Sequence, residues 1–166
     1  MAYLVRKISH GRFQKICDAA NVDNIEADVL SAELRTTDNE LSTWVINNDS
    51  EIDKAILAMA SSSDHLQSMT FIMLDEDSVR ARELIINEKL GNCPIEDLAN
   101  CHRNISNLSY KALGDVLKII KETPQSRVIR KTEKYISALL NTACVQGRLD
   151  PDILSKGVKD KLNVSA

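Results

Sequence analysis

Three histidines, four cysteines and a few clusters of carboxylates and cations are the side chains with which this sequence could do chemistry. The densest constellation is Cys101-His102-Arg103, with Cys93 eight residues upstream and Glu96 and Asp97 between. A zinc site there would need four donors converging tetrahedrally, and a nucleophile-base pair would need a third group to orient the imidazole. On a helix, neighbouring side chains point about 100° apart, so the segment reads instead as a buried thiol beside a surface histidine. The cysteines at 17, 93, 101 and 144 match no Cys-x-x-Cys or zinc-knuckle spacing, and free thiols in a reducing compartment are expected.

His10 lies in Ser-His-Gly-Arg, where a flexible glycine and a cation could hold an anion, although loops are also simply polar. His65 belongs to no motif. Asp75-Glu76-Asp77 follows an apolar run of strand length, the position in which a metal-dependent hydrolase would place its carboxylates. The same residues suit a helix N-terminus, where negative charge meets the helix dipole favourably, and capping is the expected role. The five glycines are isolated, which argues against nucleotide enzymes with a Gly-rich phosphate loop. No catalytic residue, metal ligand or cofactor is therefore assigned, and the chain is not expected to be an enzyme.

Charge is distributed unevenly. From Asp18 to Asp53 ten acidic residues face one basic residue, Arg35, whereas from Arg103 to Lys134 eight basic residues face three acidic ones. The net charge of -3 conceals this polarity, which is a hint of a charged partner. Arg127, Arg130, Lys131 and Lys134 follow the i, i+3, i+4, i+7 spacing of one helical face, and they are the candidate partner-binding residues. An ordinary solvated face has the same spacing. The expected function is that of a non-catalytic macromolecular interaction protein, a bacterial or phage accessory, regulatory or immunity-type subunit that docks on another, acidic protein. The alternatives are a nucleic-acid-binding protein or nuclease that uses a basic helix over 127–134, and a metal-dependent hydrolase built on the carboxylates at 75–77. Nothing in the sequence argues against a homo-oligomer.

Around these residues the chain supplies an ordinary globular composition, with 43% hydrophobic and 27% charged residues over 166 positions. That length suits one domain burying roughly two-thirds of its unfolded surface. No apolar stretch approaches the roughly 18 residues of a membrane span, and the charged start Met-Ala-Tyr-Leu-Val-Arg-Lys lacks the apolar core of a signal peptide. A cytoplasmic location without membrane contact is expected.

Alternation predicts a strand over Tyr3–Ile8, followed by a short helix or loop over 12–20. Two apolar runs, Val29–Leu34 and Leu41–Ile46, flank a turn at Asp38-Asn39 and predict a β-hairpin in which Ala32 opposes Trp44. A helix through Ala60 with Asn48, Asp49 and Ser50 as cap candidates precedes an apolar strand, Ser68–Leu74, expected to be central. Beyond it only helices are expected: one from about Val79 to Leu90 closed by Gly91, then 94–105, 109–122, 127–145 closed by Gly147, and a weak tail from Asp150. The fold class predicted is α+β: a small, mostly antiparallel N-terminal sheet, made of the hairpin and two further strands with one packed helix, then three or four C-terminal helices. One domain over 1–166 would comprise a sheet-rich half, 1–75, and a helical half, 76–166. Trp44, the lone tryptophan, is expected in the core.

Overall fold

A computed structural model describes residues 2–162. The chain is of mixed α and β structure around one six-stranded sheet in which every pairing is antiparallel. Strand β1 (Tyr3–Ile8) leads into helix α1 (His10–Asp18) and helix α2 (Ala27–Glu33), then strand β2 (Leu41–Ile46) and helix α3 (Ile52–Ser61). Strand β3 (Met69–Asp75) is followed by helix α4 (Glu76–Ala81), strand β4 (Ile85–Glu88), helix α5 (Glu96–Ala99) and strand β5 (His102–Ser106). Helix α6 (Tyr110–Glu122), strand β6 (Val128–Lys131), helix α7 (Glu133–Val145) and helix α8 (Lys156–Lys159) complete the order. In space the strands run β4-β5-β2-β1-β3-β6.

The sheet is covered on both faces, and the alternation along each strand divides its side chains between two cores. Tyr3, Val5, Trp44, Ile46, Phe71 and Met73 pack against α3, α5, α7 and the C-terminal segment. Leu4, Ile8, Leu41, Ile72, Leu74 and Ile105 pack against α1, α2, α4 and α6. Covering on both sides explains why β3 reads as an uninterrupted apolar run: Met69 to Leu74 are all buried. β3 is flanked on both sides, by β1 and β6, although it lies next to the edge of the sheet. Trp44 is buried against α3, as its alternation with Ile46 predicts.

Several expected elements differ. Residues 27–33 form a helix instead of the first arm of a hairpin: Ile25, Val29 and Glu33, four apart, face the core with Leu34, a helical spacing that the short run Val29-Leu30 disguised. Trp44 consequently opposes Val5 and His102, not Ala32. The expected turn is present, with Asp38 and Asn39 at φ 55 and 58° bridging Thr37 to Glu40, but it joins a helix to a strand. The helix after β3 ends at Ala81, Glu83 takes φ 58°, and the β-branched pair Ile85-Ile86 continues as β4, with Gly91 in the loop beyond. Over 94–105 only α5 is helical, and His102–Ser106 is a strand between β2 and β4. Over 127–145 the helix begins at Glu133, capped by the Thr132 hydroxyl, and Val128–Lys131 adds an edge strand to β3. The second half of the chain thus contributes three of the six strands. Gly147, at φ 68°, closes α7 as expected.

Candidate functional site

The sheet divides at its centre. β1 pairs with β3 along its whole length, from Tyr3↔Asp75 to Ile8↔Thr70, but with β2 only at Tyr3↔Ile46, Leu4↔Val45 and Val5↔Trp44. Beyond Val5 and Trp44 the two strands separate, each still held by its outer neighbour, because β2 continues on β5 through Leu41↔Ile105. Arg6 spans the fork. Its Nη1 donates to the Ser42 carbonyl at 3.0 Å and its Nη2 to the Glu33 carbonyl at 2.8 Å. Burial lowers the Arg6 pKa, and Glu33 opposes that shift. The Glu33 side chain is itself buried, accepting from the Ser9 N–H at 3.1 Å with Arg12 at 3.8 Å. Burial raises its carboxyl pKa against the pull of that hydrogen bond and of both arginines.

Two adjoining cavities of about 550 and 500 Å³ open at the fork and share Arg6, Lys7, Ser42, Trp44 and Met59. The first also takes in His10, Arg12 and Arg130, and the second Arg35, Lys89, His102 and Asn104. Glu40 accepts from Lys89 at 2.7 Å, from the Asn104 amide at 2.6 Å and from the Ser106 hydroxyl at 3.2 Å, the first of which does most to lower its pKa. Lys7, Arg35 and Arg130 are exposed and form no salt bridge among the described residues. Among those residues, the buried side-chain polar atoms without a hydrogen-bond partner are Arg6 Nε and Asn104 Oδ1, and both belong to side chains lining this fork. Buried polar atoms are ordinarily paired, so two unpaired ones in one cleft mark it as a place where a polar ligand fits.

His102 lies against the second cavity, where its residue is 8% exposed. Its Nδ1 is 3.0 Å from the Lys89 carbonyl and its Nε2 is 2.7 Å from Ser42 Oγ. The ring meets Trp44 edge-on, with centroids 5.0 Å apart. Gly91 makes this packing feasible, since a Cβ there would stand 2.5 Å from Trp44 Cη2 and 2.8 Å from His102 Cβ. The expected buried thiol beside a surface histidine is corrected here: the histidine is buried, and Cys101 is half-buried and donates toward the Asp97 carbonyl at 3.5 Å. His102 begins a strand and receives its partners from positions 42 and 89, which no local spacing encodes.

The basic residues expected on one helix face are dispersed. Arg127 lies in a 3₁₀ turn, paired with Asp49 at 2.5 Å and stacked on the Tyr3 ring at 4.3 Å. Lys131, at the end of β6, stacks on Tyr135 at 3.9 Å, and Lys134 is exposed on α7. Arg130 alone reaches the fork. Other members of the basic half serve the fold: Lys121 donates to the Ile16, Cys17 and Ala19 carbonyls at the end of α1, and Arg103 pairs with Glu88 at 2.9 Å. Asp75 accepts from the Asp77 N–H at 3.3 Å and the Ser78 hydroxyl at 3.0 Å, which is the geometry of a helix cap. Among the described residues no three metal-ligating side chains converge, and no helix is long and apolar enough to cross a membrane. The four cysteines are unpaired. Comparison of the chain with family models, with curated proteins and with solved structures found no match.

Proposed function

We propose that the protein is a macromolecular interaction protein that receives an acidic segment of a partner protein in the fork between β1 and β2. The observation that supports this reading is the set of exposed cations without a salt bridge, Lys7, Arg35 and Arg130, drawn from three separate elements around one cleft. An acidic protein suits the cleft better than a long nucleic acid. Glu33, Asp38 and Glu40 are interleaved with the cations, and the chain as a whole carries a charge of -3, so a continuous polyanion would meet repulsion on either side. Of these docking residues Arg130 belongs to the expected 127–134 cluster, Arg35 is the one basic residue of the acidic stretch, and Lys7 lies outside both stretches.

The test is a binding titration with a labelled Glu/Asp-rich peptide and with single-stranded and duplex DNA of matched length, at physiological salt. Replacing Lys7, Arg35 and Arg130 together by Gln should weaken the peptide roughly tenfold, as expected for three surface charges of about 0.5 kcal/mol each, mainly through slower association. Replacing Lys131 and Lys134 by Gln should leave it unchanged. Submicromolar DNA binding that outcompetes the peptide, with a salt slope falling by nearly one per cation removed, would replace this reading with the nucleic-acid one.

A further inference from the structure

The second cavity of the fork holds an arrangement that a binding role does not use. The Lys89 carbonyl can only accept a hydrogen bond, so the contact at 3.0 Å requires the proton of a neutral imidazole to sit on His102 Nδ1. Nε2 then carries the lone pair, and the Ser42 hydroxyl donates to it at 2.7 Å. Ser42 is exposed to the cavity while His102 is buried against Trp44. A hydroxyl facing solvent, an imidazole behind it and a fixed acceptor behind the imidazole are the three parts of an activated nucleophile. Asn104 stands directly opposite Ser42 in the β2–β5 register, is 4% exposed, and presents the unpartnered Oδ1.

We propose that Ser42 and His102 act as nucleophile and general base in hydrolysing a small anionic ester or thioester that carries a hydrogen-bond donor near its acyl carbon. Ser42 Oγ bonds to the acyl carbon as its proton passes to His102 Nε2. The bond from that carbon to the leaving oxygen or sulfur then breaks, and the leaving group takes the proton from Nε2. Water attacks the resulting acyl-serine, giving a proton to Nε2, and the Oγ–carbon bond breaks as Oγ recovers that proton, releasing the carboxylic acid. The positive charge of Lys7 and Arg35 in the same cavity has the sign that the tetrahedral oxyanion and an anionic substrate both require. Asn104 Oδ1 accepts from the substrate's donor. Burial lowers the His102 pKa from its ordinary value, more than its bond to the Lys89 carbonyl and the Glu40 charge raise it, which keeps the base neutral at physiological pH.

This inference is independent of the acidic-segment reading, because Ser42→Ala leaves Lys7, Arg35 and Arg130 in place. The test treats the full chain with a reporter-tagged fluorophosphonate and maps the modified serine by peptide mass spectrometry. Modification at Ser42 is expected, absent in Ser42→Ala and slowed about a hundredfold in His102→Gln, the usual scale of general-base assistance. Should His102→Gln fail to fold, Ser42→Cys carries the same question: its alkylation by iodoacetamide should stay fast at a pH below that at which an ordinary exposed thiol ionises, because the imidazole takes the thiol's proton. A chain that leaves Ser42 unmodified while a control serine hydrolase is modified overturns the proposal. So does modification of Ser42 at an unchanged rate in folded His102→Gln, or alkylation of Ser42→Cys with the pH dependence of an ordinary exposed thiol.

Discussion

His102 is the residue whose environment departs furthest from what its neighbours in sequence suggest, and it gives the chain a pH dependence. Burial is the largest cause of its lowered pKa, reinforced by the charges of Lys89 and Arg103 and opposed by the Lys89 carbonyl and Glu40. Near and below the ordinary value of 6.5 the unfolded chain binds a proton at this position that the folded chain resists. The stability His102 contributes is therefore present above that pH and lost as the pH falls through the lowered folded value. Glu33 acts in the opposite sense, since a raised carboxyl pKa means that acidification relieves a burial cost. Comparing the wild type with His102→Gln separates the two. Between about pH 6.5 and 5 the Tm of the wild type should fall more steeply than that of the variant; parallel curves would show that the imidazole is charged in the fold. Cys101 and His102 were legible as a notable pair, but their roles were not, because the serine that bonds the imidazole lies 60 residues away in the chain.

At the scale of elements, caps and periodicity account for what was legible. β1, β2, β3, α3 and α6 fall where alternation, helical spacing and cap residues place them, and α7 ends but does not begin where expected, since all of those signals act within a few residues. The Asp75 cap of α4 distinguishes its role from that of a metal ligand. Asp75→Ala should cost about 1 kcal/mol by losing the acceptor, while Asp75→Asn, an equally good cap, should stay within about 0.5 kcal/mol of the wild type in urea denaturation. Equal losses in both variants would point to a requirement for the carboxylate charge. β4, β5 and β6 were not legible. Each is four or five residues long, and β5 shows one apolar side chain, Ile105, among His102, Arg103, Asn104 and Ser106. Such segments become strands because a longer neighbour supplies their backbone partners. β6 shows the consequence for the basic cluster: Val128 and Ile129 pair with Ile72 and Phe71, so Arg130 and Lys131 become charges on an edge strand, where they discourage further pairing.

For the whole molecule, one sheet shared by two cores is the governing feature. β1, β2 and β3 contribute side chains to both, so the loss of one core should remove the support of the other. Unfolding followed by fluorescence of the single tryptophan, Trp44, and by far-UV circular dichroism should give coincident transitions, and Trp44→Ala should lower stability by about 3 to 5 kcal/mol. Transitions separated by probe would show that the helices on the opposite face form an independent unit.

The sequence by itself determined the mixed class, the existence of the strands β1, β2 and β3, the burial of Trp44 and the polarity of charge, since composition and local periodicity carry each of these. The tertiary structure alone decided the order of the six strands and the point at which β1 and β2 part. It also placed Lys7, Arg35, Arg130, Ser42 and His102 around one cleft. The physical reason is the range of the interactions. Antiparallel pairing between distant segments and the burial of polar side chains are settled by what the rest of the chain brings into contact, and no window of neighbouring residues contains that information.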